Sequence, residues 1–349
     1  MRYLLYSLAT DKKNGFFAFF IKLILLFLSF AYGIIIRLLI FISFLDLKRF
    51  NLRIISVGNI TVGGTGKTSL VEYIARKFRE RGSKVAILTR GYKRGAFDLL
   101  GDEPKMLLKN LSNVPVVVNK NRAVALRRIE KEYGIDIVVL DDGMQQWRIK
   151  KDLEIVTIDA TNPFGNKHMI PRGILRQPLS TLKKADIFVL TKTDLAGNSD
   201  TLKRRLDHYN SKALIVESVH YPVGFYRPEE EENLIPKDFL KEENVAILSG
   251  IGDPDSFAST VSSLGIKIAL DLRFGDHHNY TSGEIKAVTE SIRNKGLNLL
   301  IITEKDATRL SDKELDMFAG IEVFVLRIEL KILKNEENFL SRLFRVYSF

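Results

Sequence analysis

The stretch that most constrains this chain is Val57-Gly58-Asn59-Ile60-Thr61-Val62-Gly63-Gly64-Thr65-Gly66-Lys67-Thr68, which follows an apolar run at 53–57 and leads into a helical pattern. It reads as a phosphate-binding loop (P-loop). A strand delivers the chain to a point, glycines let backbone N–H groups turn inward around phosphate oxygens, and the following helix aims its positive dipole end at them. On this reading Thr61, Val62, Gly63, Gly64, Thr65, Gly66, Lys67, Thr68 and Ser69 surround a nucleotide's phosphates. Lys67 reaches the β and γ phosphates, and the Thr68 hydroxyl holds magnesium. The usual pattern has a glycine five residues before the glycine of the Gly-Lys pair, but here that position is Thr61, and Gly63 and Gly64 supply flexibility later. A glycine-rich turn without a ligand is the bland alternative; strand, Gly-Gly-Thr-Gly-Lys-Thr-Ser and helix in that order are hard to explain by it.

A chain of 349 residues is long enough for two domains, because single cores stop growing near roughly 250 residues. The absence of cysteine excludes disulfides, thiolate zinc sites and iron–sulfur clusters. A net charge of +11 raises the question of a nucleic-acid partner, and the placement of the charge answers it. Residues 1–53 carry eight basic residues (Arg2, Lys12, Lys13, Lys22, Arg37, Lys48, Arg49, Arg53) against Asp11 and Asp46, a net of +6. Flanking an apolar segment, that charge suits anionic lipid headgroups better than a nucleic-acid groove. With no zinc finger, RNA-recognition signature or basic helix with interleaved aromatics, no nucleic-acid partner is expected. No obligate protein partner is inferred.

From 16 to 45 the sequence is apolar for thirty residues, broken only by Lys22, Ser29, Tyr32, Gly33, Arg37 and Ser43. A helix of that length runs about 45 Å against a hydrocarbon core of about 30 Å. The six interruptions fall on one side at ~100° per residue. Such a stripe suits a helix in one leaflet, a stripe packed on its own domain, or a tilted span, with in-plane binding placed first. A buried core helix is the alternative. A cleaved signal peptide is disfavoured by the length of the run and by the nucleotide loop a dozen residues later, which needs cytoplasmic ATP.

Beyond the loop, short apolar strands at 84–88, 114–118, 135–140, 154–158, 186–191 and 213–217 are separated by helical patterns, beginning with a helix at 67–81. This alternation predicts a parallel sheet covered on both faces, with ligands at the carboxyl ends of its strands. Prolines and the run Glu229 to Glu232 mark a shift at 221–243. A second alternation follows: strands at 244–248, 266–272, 297–303 and 321–326, with helices opened by Asp253-Pro254 and by the capping-box pairs Thr281/Glu284 and Ser311/Glu314. The predicted fold class is α/β: a P-loop NTPase-type parallel sheet domain, a second, smaller α/β domain, and an N-terminal membrane-associated helix. The expected boundaries are 1–50 for the membrane-associated helix, 51–225 for the P-loop domain, 226–243 for an interdomain connection and 244–349 for the smaller domain.

Five further places bear on possible chemistry. The strand 135–140 ends in Asp141-Asp142-Gly143, and an acid at such a tip helps hold magnesium in P-loop proteins; Asp141 is placed first and Asp142 second. Gly101-Asp102-Glu103-Pro104 sits where a loop can face the γ phosphate, or is only a helix N-terminus with Asp102 as cap. Gly275-Asp276-His277-His278 offers a histidine that can orient a carboxylate for deprotonating a hydroxyl. The long polar loop at 162–178 carries Arg172 and Arg176, arginines placed to meet an anionic substrate. Leu190-Thr191-Lys192-Thr193-Asp194 is similar to the guanine-reading Asn-Lys-x-Asp element, but Thr191 replaces its asparagine, which weakens a GTPase reading.

Together these segments resemble the tetraacyldisaccharide 4'-kinase family, the lipid A 4'-kinases of Gram-negative bacteria. The resemblance rests on the apolar N-terminal helix, Gly-Asn-Ile-Thr-Val-Gly-Gly-Thr-Gly-Lys-Thr at 58–68, Thr-Arg-Gly-Tyr at 89–92, Gly-Asp-Glu-Pro at 101–104, Leu-Asp-Asp-Gly at 140–143, Pro-Arg-Gly-Ile-Leu-Arg-Gln-Pro at 171–178, Asp-His-His at 276–278 and Thr-Glu-Lys-Asp-Ala at 303–307. It implies a lipid kinase using ATP and Mg2+. Asp102 would be the catalytic base, paired with His277 across a domain cleft that closure completes. Lys67 would be catalytic, Thr68, Glu103, Asp141 and Asp142 the magnesium and phosphate-organising set, and Arg122 and Arg176 the phosphate or substrate contacts. The acceptor would be the 4'-hydroxyl of an acylated glucosamine disaccharide 1-phosphate, the product lipid IVA, and the place of work the cytoplasmic face of the inner membrane. Met144 and Gln146 depart from the common Asp-Asp-Gly-Phe-Gln-His pattern. The rival from another class is a membrane-bound P-loop switch or partitioning ATPase that phosphorylates nothing; its loops often carry a lysine where this chain has Val62.

Overall fold

The computed structural model describes residues 11, 15–91, 101–111 and 113–347. Arg2, Lys12, Lys13 and Tyr92, named above, lie outside them. In chain order the elements are α1 (Phe16–Ser43), β1 (Arg53–Gly58), α2 (Lys67–Glu80), β2 (Val85–Thr89), α3 (Asp102–Asn110), β3 (Val116–Val118), α4 (Arg122–Glu132), β4 (Ile137–Asp141), β5 (Leu153–Asp159), β6 (Ile187–Thr191), α5 (Asp200–Tyr209), β7 (Leu214–Tyr226), β8 (Ile235–Pro236), β9 (Asn244–Ser249), α6 (Pro254–Ser263), β10 (Lys267–Arg273), α7 (Ser282–Asn294), β11 (Leu299–Thr303), β12 (Glu322–Lys334) and α8 (Glu336–Arg345). They fall into two compact units. One gathers Met1–Arg90, Asn113–Val219 and Leu330–Phe349; the other gathers Gly91–Ser112 and His220–Glu329.

In the first unit the strand order is β7-β6-β5-β1-β4-β2-β3, and every pairing is parallel. Strands β2, β4 and β6 are buried at every position. That is why they read as unbroken apolar runs: a strand covered on both faces has no polar side to alternate. Strand β1 lies between β4 and β5, where the order of the sheet reverses, and its C-terminal end carries the chain into the phosphate loop. Helix α8 also belongs to this unit. Phe339 and Leu343 are fully buried, and the Phe344 ring meets Phe78 of α2 edge-on at 5.4 Å.

Helix α1 buries Ala18, Leu25, Ser29, Gly33, Ile36 and Ser43, while most of its large apolar side chains are bare, Phe17 at 83% and Phe27 at 72% exposure. A core helix would bury them, so that alternative does not hold. The small and polar stripe packs on the helix's own unit: Ser29 Oγ donates to the Met169 carbonyl at 2.7 Å and the Tyr32 hydroxyl to the Arg176 carbonyl at 3.1 Å. A Cβ added at Gly33 would come within 3.3 Å of Met169 Sδ, so glycine permits the close approach. Among the described residues, α1 with the short turn after it is the one helical stretch long and apolar enough to cross a membrane.

In the second unit β10, β9, β11 and β12 form a parallel set in that order, and β8 pairs antiparallel with the end of β7. Its two hydrophobic clusters follow the period of two along β9. Val245 and Ile247 join Phe257 and Val261 of α6, whereas Ala246 and Leu248 join Ile285, Val288 and Ile292 of α7. Both capping boxes form, with Thr281 and Glu284 opening α7 and Ser311 and Glu314 opening a short turn before β12. The stretch 226–243 holds the end of β7, the strand β8 and the turns around it.

Candidate active site

The phosphate loop is braced from several directions. Gly63 and Gly66 have φ of 118° and 74°, so the left-handed conformations that demand glycine lie there. Thr61 is instead in a short antiparallel bridge with Leu175, and Val62 N–H donates to the Ile174 carbonyl at 2.8 Å. The departure from the usual pattern thus has a physical reason: position 61 is extended backbone hydrogen-bonded to the 162–178 loop. Asn59 Nδ2 donates to the Thr61 carbonyl at 3.0 Å, and the Thr65 hydroxyl meets the Thr157 hydroxyl at 2.8 Å. Lys67 Nζ donates to Asn59 Oδ1 at 3.3 Å and lies 3.8 Å from Asp142 Oδ1. Thr68, at the first turn of α2, is buried.

Strand β4 places the two acids differently. Asp141 Oδ2 accepts from the Thr89 hydroxyl at 3.1 Å. Asp142, held in the left-handed region at φ 52°, presents both oxygens to Arg176, at 2.9 and 2.8 Å. Burial pushes the Asp142 carboxyl up, but the bonds to Arg176 and the charges of Lys67 and Arg122 outweigh it and hold it below its ordinary value. Arg176 also donates to the Asn59 carbonyl at 3.0 Å, and its own backbone N–H reaches Ile60 O at 2.7 Å. Arg122 is 2% exposed, and its guanidinium donates to the carbonyls of Asn119 and Asp141 at 3.1 and 3.0 Å. Burial pushes its pKa down to about 10, against the pull of Asp141 and Asp142. These contacts tie the start of α4 to the tip of β4.

In the second unit the sharpest feature is the pair Asp102–His277. Asp102 is the first residue of α3, and its Oδ2 lies 3.0 Å from His277 Nδ1. Arg309 Nε donates to the same oxygen at 2.7 Å. Burial pushes the Asp102 carboxyl up, but His277 and Arg309 overcome this and bring it down to about 2. The carboxylate is therefore ionised at neutral pH. His277 has φ 57°, an uncommon backbone state for a histidine, and its N–H bonds the Gly250 carbonyl at 3.1 Å. The neighbouring His278 points elsewhere, to Glu284 Oε1 at 3.1 Å. Both partners of the Asp102–His277 pair belong to one unit, so the expectation of a pair formed across a cleft by closure is corrected. Within that unit Asp102 and Glu103 meet Arg309 and Lys305 of the turn after β11.

Glu103, beside Asp102, accepts from Lys305 Nζ at 3.0 Å. Burial pushes the Lys305 ammonium down, yet Glu103 more than compensates and raises it. Neither Lys305 nor Arg309 carries a local sequence signature of a site residue. Thr-Glu-Lys-Asp-Ala at 303–307 was the only signal, and nothing local tells that the turn after β11 faces α3. Among the described residues no cluster of three or more His, Asp or Glu side chains forms a ready-made metal cage.

The family model described as tetraacyldisaccharide-1-P 4'-kinase matches residues 21–347. A tetraacyldisaccharide 4'-kinase of Halothermothrix orenii is 35% identical over 309 residues, covering 80% of each chain. One of Anaeromyxobacter dehalogenans is 36% identical over 301 residues, 81% of this chain and 79% of that one. The solved structure of LpxK from Aquifex aeolicus in complex with ATP aligns with a TM-score of 0.72 at 27% identity, covering 94% of this chain and 99% of that one. With a phosphate loop at the switch point of a parallel sheet, an Asp–His pair in a second α/β unit and these matches along almost its whole length, the chain belongs to the tetraacyldisaccharide-1-P 4'-kinase family.

Proposed function

We propose that this protein is an ATP-dependent kinase that transfers the γ-phosphoryl group to the 4'-hydroxyl of a tetraacyl glucosamine disaccharide 1-phosphate, giving lipid IVA. The observation that carries the reading is the Asp102–His277 pair at 3.0 Å, because a nucleotide switch needs no ionised carboxylate oriented by a histidine to receive a hydroxyl proton. The first unit supplies the donor half. Backbone N–H groups of 63–68 and Lys67 hold the β and γ phosphates. Arg122 and Arg176 serve that half by holding the Asp141 carbonyl and the Asp142 carboxylate.

The donor set fits Mg2+, a hard cation that keeps several waters and takes one or two protein oxygens beside the phosphates. Thr68 and Asp141 suit it best, since both Asp142 oxygens are engaged by Arg176. Glu103 is the further acid proposed for this set. The ion would neutralise charge on the β and γ phosphates.

The second unit supplies the proton acceptor. As the sugar oxygen bonds to phosphorus and the bond to the β-phosphate oxygen breaks, the hydroxyl proton passes to Asp102. A carboxylate held near 2 has little affinity for protons, but a loose phosphoryl transfer needs the proton removed late, so placement outweighs basicity. Helix α1, with its bare apolar face and basic flank, keeps this chemistry at the cytoplasmic face of the inner membrane, where the acylated acceptor resides.

The test supplies ATP and magnesium with and without the tetraacyl disaccharide 1-phosphate and follows labelled phosphate. Lipid labelling that is lost in Asp102→Ala, with nucleotide binding retained, is the expected result. ATP turnover with no labelled lipid would instead favour the switch reading.

A further inference from the structure

The buried carboxylate of Asp306 has no place in the chemistry above, yet it lies at the centre of a densely bonded polar cluster in the second unit. It is 0% exposed. Its Oδ2 accepts from the Thr303 hydroxyl at 2.6 Å; its Oδ1 accepts from Gly250 N–H at 3.0 Å, from the Tyr280 hydroxyl at 2.8 Å and from Arg309 Nη1 at 3.0 Å. A buried carboxylate with four donors is fully satisfied, so it adds rigidity where a half-satisfied one would add cost.

Arg309 links that cluster to the reacting groups. Its side chain is 2% exposed. Nη1 donates to the Gly250 carbonyl at 2.7 Å, the same carbonyl that receives His277 N–H at 3.1 Å, and Nε donates to Asp102 Oδ2 at 2.7 Å. One guanidinium therefore fixes the base directly and the histidine's backbone through a shared acceptor. The planar fork makes this possible: three directed N–H bonds leave Arg309 in fixed relative orientation, which an ammonium group cannot reproduce. Gly250 itself has no room for a side chain, because a Cβ would lie 2.9 Å from the Tyr280 hydroxyl and 3.0 Å from Asp306 Oδ1.

We propose that Arg309, clamped by Asp306, is a positioning residue for phosphoryl transfer: it sets the orientation of Asp102 relative to His277, and Asp306 acts through it and through Gly250. The inference rests on Asp102 being the proton acceptor. It makes no use of Arg309 touching ATP, so ATP binding is a control.

The experiment measures steady-state phosphorylation of the tetraacyl disaccharide 1-phosphate by the full chain in mixed micelles. It compares Arg309→Met, Arg309→Lys, Asp306→Asn and Asp102→Asn with the double variant Arg309→Met/Asp102→Asn, and follows ATP binding and thermal melting for each. Arg309→Met is expected to lower kcat by 10- to 100-fold with the KM for ATP within about twofold. Asp306→Asn keeps the shape of the buried group and should lower kcat by a smaller factor in the same sense. Lysine should restore little, whereas added guanidinium ion should rescue Arg309→Met in part. The deciding number is the double variant: if Arg309 works through Asp102, its loss adds less than twofold once Asp102 is gone. Full additivity overturns the proposal, as does a folded, ATP-binding Arg309→Met with normal kcat. Retained turnover in Asp102→Asn removes the base reading itself, and this proposal with it.

Discussion

Arg176→Met tests whether the phosphate loop is held in place by the 162–178 loop. In the structure the guanidinium makes two bonds to the Asp142 carboxylate, at 2.9 and 2.8 Å, and one to the Asn59 carbonyl at 3.0 Å. Both side chains are 20% exposed, so the pair is neither dry nor freely solvated. Breaking a fully buried pair costs about 3–5 kcal/mol and an exposed one about 0–1 kcal/mol, which places this one near 2 kcal/mol. Methionine keeps the apolar stem and removes only the charge and the donors. Asp142 is then left with Lys67, 3.8 Å away, as its nearest cation. Lys67 is drawn toward the carboxylate and away from the phosphates. Since 1.4 kcal/mol is a factor of ten, ATP affinity should fall by about 10- to 30-fold, with a melting temperature lower by several degrees. Calorimetric titration of ATP in the absence of acceptor isolates the effect from any contact with the lipid. Unchanged ATP affinity with a raised KM for the lipid alone would refute the reasoning and leave Arg176 as a substrate contact only.

Gly58→Ala should destabilise the first unit by about 1–3 kcal/mol, because the new Cβ would stand 2.4 Å from Met144 Cβ and 2.7 Å from Met144 N. Chemical unfolding reads this, and Met144→Ala should not relieve it, since the clash is with atoms that alanine keeps. Asp102 has its carboxyl lowered from 3.8 to about 2, so it stabilises the fold above pH ~4 and loses that contribution as pH falls through about 2; the shift corresponds to about 2 kcal/mol. The stability gap between the native chain and Asp102→Asn should therefore narrow as pH is lowered from 6 toward 3, and a constant gap contradicts the assignment. Deleting residues 1–47 should abolish binding to vesicles containing anionic lipid, as measured by flotation, while full binding by the truncated protein would exclude α1 as the anchor.

Much of this protein was legible in the order of its residues. The phosphate loop declares itself because glycine most readily adopts the φ values at 63 and 66, and a helix N-terminus after them has one common use. The parallel sheet shows because strands buried on both faces cannot alternate, as in Ile137-Val138-Val139-Leu140. The capping boxes at Thr281 and Ser311 are local chemistry, so local sequence suffices for them. The identity of the family came from the joint order of motifs.

What folding alone decided concerns partners distant in sequence. Asp102 and His277 are 175 residues apart, and no pattern reports which unit the segment Gly91–Ser112 joins. The Asp142–Arg176 pair, the burial of Arg122 and the Asp306–Arg309–Asp102 chain are likewise set by packing, through side chains whose local sequence reads as turn or helix start. Local sequence carries propensity and periodicity, which act over a few residues. Convergence of charges on one point depends on which strands become neighbours, and that is settled by burying the whole core at once.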